Sequence, residues 1–171
     1  MSTSPFPLEI MDLKELLNKC WMTHDAMWFY NCLREFGIEN ANKINQASIR
    51  SLGPIEIKRY QKVLKVDRFD SFEGLVLFFQ RVMAIVSGKF MKYHFTFPEK
   101  NQIHAEWESC FAYEGMKKLG VADRYQCGIM LRIEVWFDTL GIQYEVNPKV
   151  TGCMMHSEGR CFRDYRFFFE K

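Results

Sequence analysis

The chain predicts an α+β fold: N-terminal helices, then an antiparallel sheet of two hairpins with helices packed on one face. Three observations carry this. Apolar residues recur at helical steps as far as Gly88, the pattern switches to alternation at Lys89, and alternation returns near the C-terminus after two more helical stretches. Helices grouped apart from strand pairs favour antiparallel pairing over a strictly alternating α/β layout. The 171 residues carry no internal repeat and no long linker, so one domain is expected, mainly helical over 1–88 and hairpin, two helices, hairpin over 89–171.

The first stretch puts Ile10, Leu13, Leu16, Leu17 and Cys20 on one helix face. Thr23 or Asp25 restarts a helix carrying Met27, Trp28, Cys32, Leu33 and Phe36, and Gly37 is a natural stop. A third helix, with Ile38, Ala41, Ile44 and Ala47, is expected to end at Gly53, after which Pro54 opens a fourth from its first turn. Asp70 or Ser71 caps a fifth, which ends at Gly88. The reading is of several short helices, none long enough for a coiled coil.

From Lys89, "KFMKYHFTFPEKNQIHAEWE" alternates, breaks at "PEKN" and alternates again, with Met91, Tyr93, Phe95 and Phe97 on one face. "SCFAYEGMKKLG" and "DRYQCGIMLRIEVWFDTLG" are amphipathic and end at Gly120 and Gly141. "IQYEVNPKVTGCMM" and "CFRDYRFFF" read as two strands joined by the turn "HSEGR", in which Gly159 takes a positive φ. Cys161, Arg163, Tyr165, Phe167 and Phe169 share one face of the last strand.

Aromatic residues make up 16% of the chain, enough for a thick core or a pocket walled by rings. The net charge is +2, and the densest basic cluster, Lys58 to Arg68, repeats at helical spacing as a solvated face, so no nucleic-acid partner is expected. Pro5, Pro7, Glu9 and Asp12 stand where a secretory signal needs an apolar run, and Gln80 and Arg81 interrupt the longest apolar stretch. These features point to a cytoplasmic protein with no membrane partner and six reduced cysteines.

The thiols are the residues richest in chemistry. No CxxC, HxxxH or HExxH is present, so a metal or iron–sulfur site would have to be assembled from the distant Cys110, Cys127, Cys153 and Cys161. A Cys153–Cys161 disulfide across the last hairpin is open geometrically but disfavoured in a reducing compartment. Cys110 and Cys127 lie near helix starts, where exposed amides favour a thiolate. Cys127 is the stronger candidate nucleophile, because Gly128 beside it permits close approach. Its base would be His94, His104 or His156, chosen by exclusion. Burial alone accounts for most free thiols. His94 and His104 fall on the polar face of the first hairpin, where they would be neighbours. Solvent is the simpler place for Arg163 and Arg166, although an inward arginine would need an acidic partner or a carboxylate ligand. No phosphate loop, nucleophile elbow or kinase signature occurs.

"MWFYNCLREFGIENANKINQASIRSLGPIEIKRYQKVL" resembles a little-characterised group of bacterial and archaeal proteins, with Trp28 and Phe29 as its aromatic pair and Glu56 and Arg59 as its Glu-x-x-Arg. The C-terminal half, with Cys110, Cys127, Gly159 and Cys161, is similar to a wider superfamily. That superfamily holds the 4-vinyl-reductase-like domains, TRAPP-complex subunits and L-2-amino-thiazoline-4-carboxylate hydrolases. The resemblance implies an α+β fold enclosing a pocket for a small or apolar ligand, often in a dimer, and a structural role for the four N-terminal positions; it implies no reaction.

The leading expectation is a sensor or carrier that encloses a small organic ligand, with Trp107, Cys110, Tyr125, Cys127, Trp136, Cys153 and Cys161 near its pocket. The alternatives are a cysteine-dependent hydrolase of a small C–N or C–S substrate, a metal or iron–sulfur protein, and a dimerisation domain using "FPLEIMDLKELLNKCW". The cofactor is left unknown, and a homodimer is left open.

Overall fold

The computed structural model describes residues 8–169; Pro5, Phe6 and Pro7, used in the expectations above, lie outside them. Five helices, α1 (Ile10–Leu64), α2 (Phe72–Val86), α3 (Phe111–Lys118), α4 (Gly128–Thr139) and α5 (Met154–Glu158), accompany four strands. The strands β1 (Lys92–Thr96), β2 (Gln102–Ser109), β3 (Gln143–Asn147) and β4 (Cys161–Phe168) form an antiparallel sheet in the order β1-β2-β4-β3. The α+β class and the helices on one face of the sheet are as the sequence predicts.

α1 departs from the expected string of short helices. Its one non-helical residue is Gly37, at φ 77° and ψ 171°, a conformation that glycine reaches without steric cost. In a straight helix Asp25 and Ser48 would stand about 35 Å apart. Here both line one crevice, so the chain turns back at Gly37 into two antiparallel arms. The expected stop at Gly53 and restart at Pro54 do not occur, since the helix runs through both. Gly53 instead marks a close approach: a Cβ there would lie 2.5 Å from Val135 Cγ1. α1 packs chiefly on α4, and a methyl group at this contact would force the two helices apart.

The arm before Gly37 leaves much of its apolar face uncovered. Ile10, Met11, Leu16 and Leu17 are exposed, as are Met27, Trp28 and Phe36 on its later turns. The arm is tied to the end of α2 by Lys14 to the Ala84 carbonyl, and its Glu15 accepts from the Lys89 amide at 2.8 Å. Among the described residues no helix is long and apolar enough to cross a membrane.

α2 is capped by Ser71, whose hydroxyl accepts from the Gly74 amide at 3.2 Å. It buries Phe72, Leu75, Phe78, Phe79, Val82 and Met83 against the sheet. On that inner sheet face alternation delivers Tyr93 and Phe95 of β1, Ile103, Ala105 and Trp107 of β2, and Cys161, Arg163, Tyr165 and Phe167 of β4. Phe137 of α4 lies at their centre, with ring centroids 5.6 Å from Phe79, 5.4 Å from Tyr165 and 5.0 Å from Phe167.

The last hairpin differs from its expectation. β3 and β4 do pair, but residues 148–160 between them contain α5, so Cys153 is a helix N-cap and not a strand residue facing Cys161. Across the sheet Cys161 faces Trp107. Gly159 has the expected positive φ, 72°. α4 also begins later than "DRYQ" suggests. Asn42, buried in α1, donates to the Arg124 carbonyl at 2.8 Å and accepts from the Gln126 amide at 3.1 Å, which holds that segment out of the helix.

Candidate functional site

A cavity of about 220 Å³ lies where both arms of α1, the end of α2, the inner sheet face and α4 meet. It is larger than the roughly 150 Å³ that accommodates benzene in an engineered protein core, and suits a molecule of roughly ten non-hydrogen atoms. Its walls are mainly apolar. Trp107 and Tyr93 come from the sheet, Tyr125 and Trp136 from α4 and its approach, and Ile49 and Leu52 from the returning arm of α1. Trp21, Asp25 and Phe111 line it and are exposed, which places them at its mouth. Gly128 lets the arm seat against α4, for a Cβ there would lie 2.7 Å from Ile49 Cδ1. The close approach expected at Gly128 is therefore real, and it is made by α1.

One polar cluster closes the cavity. Arg132 of α4 reaches Glu56 through both nitrogens of its fork, the Nε bond being 2.8 Å. Glu56 also accepts from Trp136 Nε1 at 3.0 Å and from Tyr60 Oη at 2.8 Å, so this buried carboxylate is fully paired. The Arg132 guanidinium lies 4.7 Å from the Trp21 ring centroid and 5.1 Å from that of Trp136. Asp25 faces the same cluster. Although the residue is exposed, partial burial raises its carboxyl pKa, and this outweighs the opposing pull of Arg132 and then His24.

Trp107, Tyr125 and Trp136, expected near a pocket, do line it. Cys110, Cys127, Cys153 and Cys161 do not; they sit behind that wall, although their neighbours Phe111, Ala112 and Gly128 reach it. The four thiols nonetheless share a neighbourhood: charge on Cys127 or Cys153 would raise Cys110, and charge on Cys110, Cys127 or Cys153 would raise Cys161. Three of them, Cys110, Cys127 and Cys153, are helix N-caps without a side-chain cap bond. All six cysteines are free thiols.

The expected thiolate does not emerge from this placement. Burial pushes the Cys127 thiol up more than the amides of Met130 and Ile129 pull it down. For the same reason Cys110 is raised to about 11 and Cys161 to about 12. The proposed bases are also on the wrong side. His94 and His104 project from the outer sheet face and are neighbours there, since both meet Glu106, at 3.2 and 3.6 Å. His104 Nδ1 is 2.6 Å from Asp164 Oδ1. His156 is exposed on α5. Among the described residues no group of three or more His, Cys, Asp or Glu side chains is arranged to hold a metal ion.

Arg163 corrects the expectation of solvent exposure: it is 1% exposed, donating to the Phe162 carbonyl at 2.7 Å and touching the Met154 sulfur at 3.3 Å. Its charge is felt by Glu134, whose own pKa burial raises. Arg163 does not line the cavity, so it is not placed to anchor a ligand there. Sequence reading missed Trp21, Asp25 and Arg132. Only the reversal at Gly37 brings Trp21 and Asp25 to α4. Arg132 had a legible signal, being one helical turn before Trp136 on the same face.

A family model described as "Family of unknown function (DUF6125)" matches residues 7–153, a span that includes every residue lining the cavity. The chain belongs to this family. No curated protein and no solved structure matches the chain.

Proposed function

We propose that this family member is a small-molecule-binding domain, a sensor or carrier that holds a compact organic ligand in the cavity between α1, α4 and the sheet. The observation that carries the reading is the cavity itself: 220 Å³ of mainly apolar space with a few polar side chains among its walls. Apolar walls with a few placed polar groups are the usual composition of a ligand site. The interior pocket implied by the superfamily resemblance points the same way.

A cysteine hydrolase is less well supported, because the thiols are driven towards the protonated form and the two strand histidines lie across the sheet.

Indole, with about nine non-hydrogen atoms, matches the cavity's size class. Calorimetric titration should show saturable one-to-one binding that Ala112→Phe abolishes by filling the cavity, with the far-ultraviolet circular dichroism unchanged. Absence of binding up to the solubility limit, or binding that persists in the filled variant, would overturn the reading.

A further inference from the structure

The charged groups at the cavity define which ligand chemistry it accepts. Arg132 and Asp25 are the two ionic side chains lining it. Arg132 is already engaged: Glu56 holds its fork bidentately, and the rings of Trp21 and Trp136 lie within 5.1 Å of its guanidinium carbon. A ligand carboxylate would have to compete with Glu56 for those N–H groups, in a site where Glu56 has Trp136 and Tyr60 as further donors. Asp25 is the reverse case. Among the described residues it makes no ion pair within 4.0 Å, and it stands at the mouth beside Trp21.

Arg132 and Glu56 neutralise one another, so Asp25 is the acidic group lining this end of the cavity without an ion-pair partner among the described residues. Aromatic faces add to that potential, because the negative face of each π system attracts a cation. Trp21, Tyr93, Trp107 and Trp136 all line the cavity.

We propose that the ligand is a primary or substituted amine of roughly ten non-hydrogen atoms, bound as its cation with the ammonium at Asp25 and the apolar body among the tryptophan rings. This rests on the cavity being a binding site and names the chemical class that it selects. The ammonium takes the position Asp25 leaves open, and the ring or chain lies against the apolar wall. Arg132, fixed by Glu56, serves as part of the wall.

Three probes of nearly equal size separate the possibilities at pH 7: phenethylamine, phenethyl alcohol and phenylacetate. Titration calorimetry on the full chain is expected to rank the amine at least tenfold tighter than the alcohol, with phenylacetate weakest. Asp25→Asn should weaken the amine about tenfold and leave the alcohol unchanged, which a general loss of structure would not do. Equal affinities for amine and alcohol, an amine affinity indifferent to Asp25→Asn, or tightest binding of phenylacetate would overturn the amine assignment. Continued saturable binding of indole in the same preparation would leave the cavity reading standing. If indole also fails, both fall.

Discussion

The two faces of the sheet are built from the same four strands and do opposite things. The inner face stacks Phe95, Trp107, Tyr165 and Phe167 under α2 and α4, and takes in Arg163 and Cys161. The outer face carries His94, His104, Glu106 and Asp164 as close imidazole–carboxyl contacts whose members keep between 27% and 45% of their side-chain surface exposed. Strand alternation alone separates them, one residue apart in sequence. The inner face holds the interactions that are costly to disturb and, with α1, forms the cavity. The outer face is rich in titratable groups, yet none of them reaches that cavity. A concentration of ionisable side chains is therefore a poor guide to the candidate site in this fold.

Truncating one aromatic residue on each side gives the largest contrast. Phe137→Ala removes a 1%-exposed ring at the centre of the core, and chemical denaturation should show a loss of about 3–5 kcal/mol. Phe162→Ala on the outer face removes a partly exposed ring stacked with His104, and a loss of about 1 kcal/mol or less is expected. Equal losses would break the comparison.

The polar cluster behind the cavity should behave as a unit. Glu56→Ala strands Arg132, and a loss of about 3–5 kcal/mol is expected. Replacing both Glu56 and Arg132 with methionine should restore most of it, because neither change then leaves an unpaired charge. A double variant as unstable as the sum of the singles would show that the pair is not the coupling element.

Alkaline pH is the next lever, and it acts only on the inner side. The folded-state pKa values of Cys110 and Cys161 are raised to about 11 and about 12. The stability they contribute is complete below the unfolded thiol pKa of about 8.5 and is lost as pH climbs through the folded values. Each thiol accounts for on the order of 3–5 kcal/mol across that window. Melting temperatures should therefore fall from pH 9 towards pH 11, and less steeply in Cys110→Ala. Alkylation at pH 7.5 should modify exposed Cys20 well before Cys127. A fast-reacting Cys127 would revive the nucleophile reading.

The smallest effect belongs to the outer imidazole–carboxyl contacts. His104→Ala breaks a part-exposed contact to Asp164, so a change below about 1 kcal/mol is expected, with indole affinity unchanged. A loss of binding in this variant would connect the two faces and sharpen the question of how.

Period and punctuation in the sequence determined much of this molecule. The change of pattern at Lys89 marks the start of the sheet region, alternation assigns Tyr93 and Tyr165 inward and His94 and His104 outward, and Gly37, Gly120, Gly141 and Gly159 all take the positive φ that a chain reversal or helix end requires. Other features were decided by tertiary structure, because a local pattern states what a residue can bury and not what arrives to cover it. Helical spacing groups Ile10, Leu16 and Leu17 on one face, and whether that face is covered is a tertiary matter: nothing among the described residues covers it. Pro54 reads as a helix start, but packing on α4 carries the helix through it. Helix N-termini suggest a thiolate at Cys127, and desolvation by the surrounding core outweighs them. The cavity depends most on tertiary structure: Trp21 and Asp25 of α1, Trp107 of the sheet and Arg132 of α4 come from distant parts of the chain, and they meet where Gly37 folds α1 back over α4.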